Sequence, residues 1–158
     1  MRSPPGKKWP LNCPTVAPAW RQHRKSRFCW WPPGTGFAQM KSLVDYLRET
    51  TYGKSVQLYW AVRRHEDMYL KSLAQQWQED WSPFSFKPVV GDDEDNDWAG
   101  HHDQLVRKVL ASGVDWHNVE VHASGSPTMV YTLMDALVAA GLPQTAFFSD
   151  VLEYAPRA

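Results

Sequence analysis

"WWPPGTGFAQMKSLVDYL", Trp30 to Leu47, joins a glycine-bearing turn to a helix. Met40, Leu43, Val44 and Leu47 recur at helical spacing, so the residues after about Phe37 form an amphipathic helix. The next regular stretch, "SVQLYWAV" (Ser55 to Val62), is a continuous apolar run of strand length, the pattern of a strand buried on both faces. A turn, a helix and a doubly buried strand in that order predict parallel α/β winding. A glycine turn at a helix N-terminus is also the local structure that cradles phosphate. Here, however, Pro32 and Pro33 stand where the preceding strand ends.

The alternation continues downstream. Glu66 and Asp67 stand where acids complement a helix dipole, ahead of Tyr69, Leu70, Leu73 and Trp77; "FSFKPVV" (Phe84 to Val90) then reads as a strand. Leu105, Val106, Val109 and Leu110 mark a further helix and "NVEVHA" (Asn118 to Ala123) a further strand. Ser126 as N-cap, Pro127 at the first helical position and Gly141 past the end bracket a helix carrying Met129, Val130, Leu133 and Leu137. "TAFF" (Thr145 to Phe148) closes the series. The expected fold is a doubly wound, mostly parallel five-stranded sheet with helices on both faces, preceded by an irregular tail.

The 158 residues suit one domain, and their formal net charge is zero. Every charged side chain before Asp45 is nevertheless basic, and the same region holds Pro4, Pro5, Pro10, Pro14, Pro18, Pro32 and Pro33 without apolar periodicity. Residues 1–27 are therefore expected to be an irregular basic, Pro-rich tail, and residues 28–158 the folded domain. The prolines break any signal-peptide core, and no apolar stretch reaches transmembrane length, so neither membrane nor nucleic acid is expected as a partner and the cytoplasm is the expected compartment. Cys13 and Cys29, the only cysteines, are too few for a disulfide framework, a four-cysteine zinc site or a cysteine-held iron–sulfur cluster.

Two turns carry the chemistry. In "PGTGFAQ", Gly34 and Gly36 let backbone N–H groups approach a pyrophosphate, and Thr35 adds a hydroxyl donor. The third glycine of the dinucleotide fingerprint is absent, Gln39 standing in its place, and so is the Lys-Ser/Thr of a P-loop. By spacing alone, a plain turn explains the pattern equally well. The second turn, "ASGSPTMV" (Ala123 to Val130), again puts glycine between a strand and a helix, so that two glycine-bearing crevices face one sheet edge.

Taken with "VQLYWAVRRHEDMYL" and "QTAFFSDVL", these turns resemble the NAD(P)H-binding domain of the ferredoxin–NADP reductase superfamily. The nearest resemblance is to bacterial iron–sulfur flavoprotein reductases of the CDP-6-deoxy-glucoseen reductase and oxygenase reductase component type, and it runs from about Gly34 to Leu152. It implies that Gly34, Thr35 and Gly36 match a Gly-Gly-Thr-Gly-x-x-Pro pyrophosphate motif, with Pro33 and Gln39 departing from it. It implies likewise that Gly125 and Met129 match a Cys-Gly-x-x-x-Met motif beside the nicotinamide, with Ser124 at the cysteine position as the catalytic candidate and Ser126 alongside. Proline fixes φ and has no N–H, so Pro33 is the more damaging departure.

The same resemblance implies a hydride path from NAD(P)H to FAD, then single-electron transfer to an iron–sulfur centre. It places the FAD on a β-barrel with an Arg-x-Tyr-Ser/Thr motif, and that motif is absent from this sequence. FAD is thus expected only in a complete family enzyme, with a separate flavin or iron–sulfur protein as a partner for this chain. Ahead of Gly34, only Phe28 to Trp31 offers a first strand. The compositional change there is what a frameshift or wrongly assigned start produces, which leaves a non-catalytic nucleotide- or protein-binding fragment as the alternative.

Arg63 and Arg64 follow the second strand, where doubly wound folds read the adenosine ribose. Either meets a ribose or a 2′-phosphate, ends the strand in solvent, or pairs with Glu66 or Asp67; the resemblance favours a contact from Arg63. Nearby acids tilt the choice toward NADH without deciding it. Ser149 and Asp150, after the last strand, are candidates for the hydride-transfer crevice. Asp93, Asp95 and Asp97 alternate as calcium ligands do, but Trp98 and Gln104 occupy the glycine and glutamate places, and His101 and His102 read as surface loop residues, so no metal is expected.

Overall fold

A computed structural model describes residues 28–31, 37–91 and 98–157. Its strands are β1 (Phe28–Trp31), β2 (Val56–Val62), β3 (Phe84–Val90), β4 (Glu120–Ala123) and β5 (Phe147–Phe148); its helices are α1 (Phe37–Glu49), α2 (Lys71–Asp80), α3 (Trp98–Leu110), α4 (Pro127–Ala139) and α5 (Val151–Tyr154). The five strands form one parallel sheet in the order β3-β2-β1-β4-β5.

The chain therefore winds outward from β1 through β2 to β3, then crosses back to β4 and winds outward again to β5. Right-handed crossovers put α1 and α2 on one face and α3 and α4 on the other. Both layers close over the sheet, because β2 buries six of its seven residues, with only Gln57 partly exposed. On the first face, Phe37 stacks on Trp60 at 4.2 Å between ring centroids and on Trp77 at 6.0 Å, joining α1, β2 and α2. On the second, Leu105 and Val109 of α3 and Leu133 and Leu137 of α4 are buried. Each such side chain contributes roughly 1.5–3 kcal/mol through burial.

Local readings need four adjustments. Four residues suffice for the first strand: β1 pairs Phe28 with Val56 on one side and with Glu120 on the other, at the sheet centre, so Cys29 is a strand residue. Asn118 and Thr145 lie in one-turn 3-10 helices (Trp116–Asn118 and Gln144–Ala146) ahead of shorter strands. Glu66 and Asp67 serve a separate 3-10 turn, His65–Asp67, where Asp67 Oδ2 accepts the Arg64 N–H at 3.1 Å; α2 begins only at Lys71. His101 and His102 fall within α3, not in a loop. Pro127 opens α4 as expected, Ser126 is its N-cap, and Gly141 follows it with φ of +105°.

Candidate nucleotide-binding crevice

The strand order reverses between β1 and β4. In sequence, β1 is followed by α1 and β4 by α4, and ligands of open α/β sheets bind in the crevice at such a reversal. The register Trp31↔Ala123 brings the two strand ends level. Ser124 and Gly125 leave β4 there. Gly34, Thr35 and Gly36, with Pro32 and Pro33, lie outside the described residues. The helix that they enter is described, and its first turn, Phe37 to Gln39, fixes the position of this end of the crevice.

Ser124 is 6% exposed, the buried polar residue among the described ones, and Gly125 is half-buried above it. Ser126 is exposed, and its side chain makes no cap hydrogen bond. Met129 packs into the core one turn later, at 3% exposure, which ties the start of α4 to the sheet. The Tyr154 hydroxyl donates to the Gly125 carbonyl at 3.5 Å, so α5 approaches this turn.

The carboxyl end of β5 completes the edge. Ser124 and Asp150 each stand two residues beyond the paired His122 and Phe148, so neighbouring strands deliver them to the same level. Asp150 is exposed, and its Oδ2 accepts from Gln39 Nε2 at 3.4 Å, linking the last strand to the first turn of α1. Beneath them the His122 ring stacks on Phe148, with centroids 4.8 Å apart and planes 18° apart. His122 as a residue is half-buried, but its Nε2 is covered, and loss of hydration lowers its pKa to about 3. The imidazole at the floor of this edge is therefore neutral.

Arg63 is exposed directly after β2, away from the β4 turn. Tyr69, which sequence periodicity had placed on a helix, instead precedes α2 and is 56% exposed. It meets Phe37 at 5.9 Å and Trp60 at 5.5 Å, edge-on in both cases, which braces it beside the start of α1. The sequence had marked Gln39 only as a departure from the glycine and proline motifs, had read Tyr69 as helical, and had not marked Tyr154. An aromatic residue between a 3-10 turn and a helix was the available sign for Tyr69; nothing local marks the long-range contacts of the other two.

The sequence pattern of the oxidoreductase NAD-binding domain matches residues 32–134, from the β1 exit into α4. The chain belongs to this family. It is an NAD-binding domain of the ferredoxin–NADP reductase type, as the sequence resemblance implies. A CDP-6-deoxy-L-threo-D-glycero-4-hexulose-3-dehydrase reductase of Yersinia pestis is 31% identical over 117 residues, 74% of this NAD-binding chain and 35% of the relative. Reductase component 2 of a terephthalate 1,2-dioxygenase from Comamonas sp. is 30% identical over 126 residues, 78% of this chain and 37% of its own. The chain thus spans little more than a third of these curated relatives. The cytochrome P450 reductase GcoB of Amycolatopsis shares the fold, with a TM-score of 0.66 and 21% identity over 82% of this chain and 38% of GcoB. Among the described residues, no helix is long and apolar enough to cross a membrane.

Proposed function

We propose that this NAD-binding domain holds NAD(P)H across the β1–β4 crevice and presents the nicotinamide to a flavin, within an electron-transfer chain that ends on an iron–sulfur protein. One observation carries the reading. The sheet reverses between β1 and β4, and the strand ends that precede Gly34–Gly36 and Ser124–Gly125 in sequence are adjacent, which supports one ligand shared by the two segments. In this reading Gly34, Thr35 and Gly36 take the pyrophosphate with the N-terminus of α1. Arg63 meets the adenosine ribose, and the exposed ring of Tyr69 provides a flat support for adenine.

Ser124, Gly125, Ser126 and Met129 shape the nicotinamide side. Ser124 is the residue beside the reacting ring; its burial limits water there, and Asp150 closes the far side. A bound flavin supplies the two-electron acceptor for the hydride and the one-electron exit toward iron–sulfur centres. The described residues form the nicotinamide domain alone, so we assign the flavin to a separate protein or to residues outside those described. We place the start of the folded unit at Phe28, because β1 is the central strand.

Calorimetric titration of the purified chain with NADH, NADPH and ADP-ribose tests the reading. One-to-one binding of ADP-ribose and of at least one dinucleotide is expected, and Tyr69→Ala should weaken each ligand bound by about fivefold to tenfold through loss of ring stacking. Absence of binding by all three would sink it.

A further inference from the structure

Asp150 is oriented through both carboxylate oxygens. Gln39 Nε2 donates to Oδ2 at 3.4 Å, and Ser149 Oγ donates to Oδ1 at 3.5 Å. Ser149 Oγ is itself anchored, since it accepts the Val151 N–H at 3.2 Å as α5 begins. Both contacts are long, and together they bias the carboxylate toward one direction. It is held toward α1, across the crevice, by a residue 111 positions away in sequence.

Its place in the chain gives this contact a consequence. Asp150 and Ser124 each follow by two residues the paired Phe148 and His122, on the exits of neighbouring parallel strands that run about 5 Å apart. Resting on the reading that the Ser124 turn takes nicotinamide, the carboxylate faces a ring whose charge changes in the reaction. Dihydronicotinamide is neutral. When its C4–H bond breaks and the hydride leaves with both electrons for an oxidised flavin, the ring becomes a pyridinium carrying one positive charge.

We propose that Asp150, positioned by Gln39, makes the crevice discriminate between redox states of the dinucleotide, favouring the oxidised ring. The pyrophosphate and adenosine are the same in both states, so only groups near the ring can separate them, and a charged group acts on the difference in ring charge. An exposed carboxylate a few ångströms away suffices for a several-fold preference at low salt. Gln39 does not touch the ring in this scheme; it acts by holding Asp150 in place.

Titration of the full chain and its variants with NAD+, NADH and ADP-ribose at low ionic strength tests the proposal. Asp150→Asn keeps shape and hydrogen bonding but removes the charge, and should shift the NAD+ to NADH affinity ratio about threefold to tenfold toward NADH. ADP-ribose affinity should stay unchanged. Gln39→Ala should move the same ratio in the same direction by a smaller factor, whereas a merely structural Gln39 would weaken all three ligands alike. An unchanged ratio in Asp150→Asn, or equal losses for ADP-ribose, overturns the proposal while leaving nucleotide binding intact. A wild-type chain that binds ADP-ribose and neither dinucleotide overturns it too, because the ring then has no place in the crevice. Failure to bind even ADP-ribose removes the nucleotide reading and this inference with it.

Discussion

Phe37, the first residue of α1, lies nearly parallel to the Trp60 ring of β2, with centroids 4.2 Å apart and planes 23° apart, and both side chains are wholly buried. This pair fixes the entry of α1 to the sheet at the residue that follows the Gly34–Gly36 segment. The proposed phosphate site thus adjoins a packing anchor.

Replacing Phe37 by Ala should cost about 3–5 kcal/mol of stability, the range for a large buried aromatic, and Phe37→Leu about 1–1.5 kcal/mol. Urea unfolding followed by far-ultraviolet dichroism measures both. If Phe37→Leu folds fully, its ADP-ribose affinity should still fall, because the start of α1 is less firmly held. Unchanged stability in Phe37→Ala would contradict the burial.

His122 makes stability depend on pH. Its folded pKa, about 3, lies below the unfolded value of 6.5, so between these values the unfolded chain binds the extra proton. The contribution is fully present above the unfolded value and is lost as pH falls toward the folded one. From about pH 7 to about pH 5 the loss approaches roughly 2 kcal/mol. The difference in unfolding free energy between wild type and His122→Phe should show this slope in that window and flatten above it. Parallel curves down to about pH 4 would show that His122 remains hydrated in the folded chain.

Gly141 ends α4 with φ of +105°, and a Cβ there would stand 2.6 Å from His117 Cε1. The His117 side chain is exposed and can turn aside, so the backbone conformation is the larger cost. Gly141→Ala should lose about 1–2 kcal/mol. Gly53, where a Cβ would meet nothing within 4 Å, is the control, and Gly53→Ala should stay within about 0.5 kcal/mol of wild type. Equal thermal midpoints for the two variants would rule out strain at Gly141.

Pro33 lacks the N–H and the positive φ that a phosphate-binding turn draws from glycine. Pro33→Gly should therefore strengthen NADH or NADPH binding about tenfold, the worth of one hydrogen bond to a charged group. Ser124→Cys changes an atom beside the ring, away from the phosphates, and should leave affinity nearly unaltered. Calorimetry on both variants decides this: a Pro33→Gly affinity equal to or below wild type would move the defect elsewhere in the turn.

The fold is largely legible in the sequence, because each cue for it is local. A seven-residue apolar strand such as Val56–Val62 can satisfy its side chains only with layers on both faces, and Pro127 with Gly141 brackets α4 through backbone preferences of single residues. Element ends were less legible. Asp67 was read as a helix-dipole acid, yet its carboxylate closes a 3-10 turn on the Arg64 N–H, a choice between two short hydrogen-bonded forms of similar energy. The short β1 was underestimated for a different reason: four residues are a weak strand alone, and pairing with both β2 and β4 stabilises them.

The sequence by itself determined the alternation of strands and helices and the family to which they belong. All of these rest on interactions within a few residues or on ordered motifs. Only the tertiary structure decided that β1 and β4 are neighbours, which sets strand ends some ninety residues apart side by side. It alone brought Gln39 to Asp150 and Tyr154 to Gly125, because exposed polar contacts between distant segments leave no periodicity to read. It also made His122 a neutral base, since the desolvation that lowers its pKa comes from packing around the strand and not from its sequence neighbours.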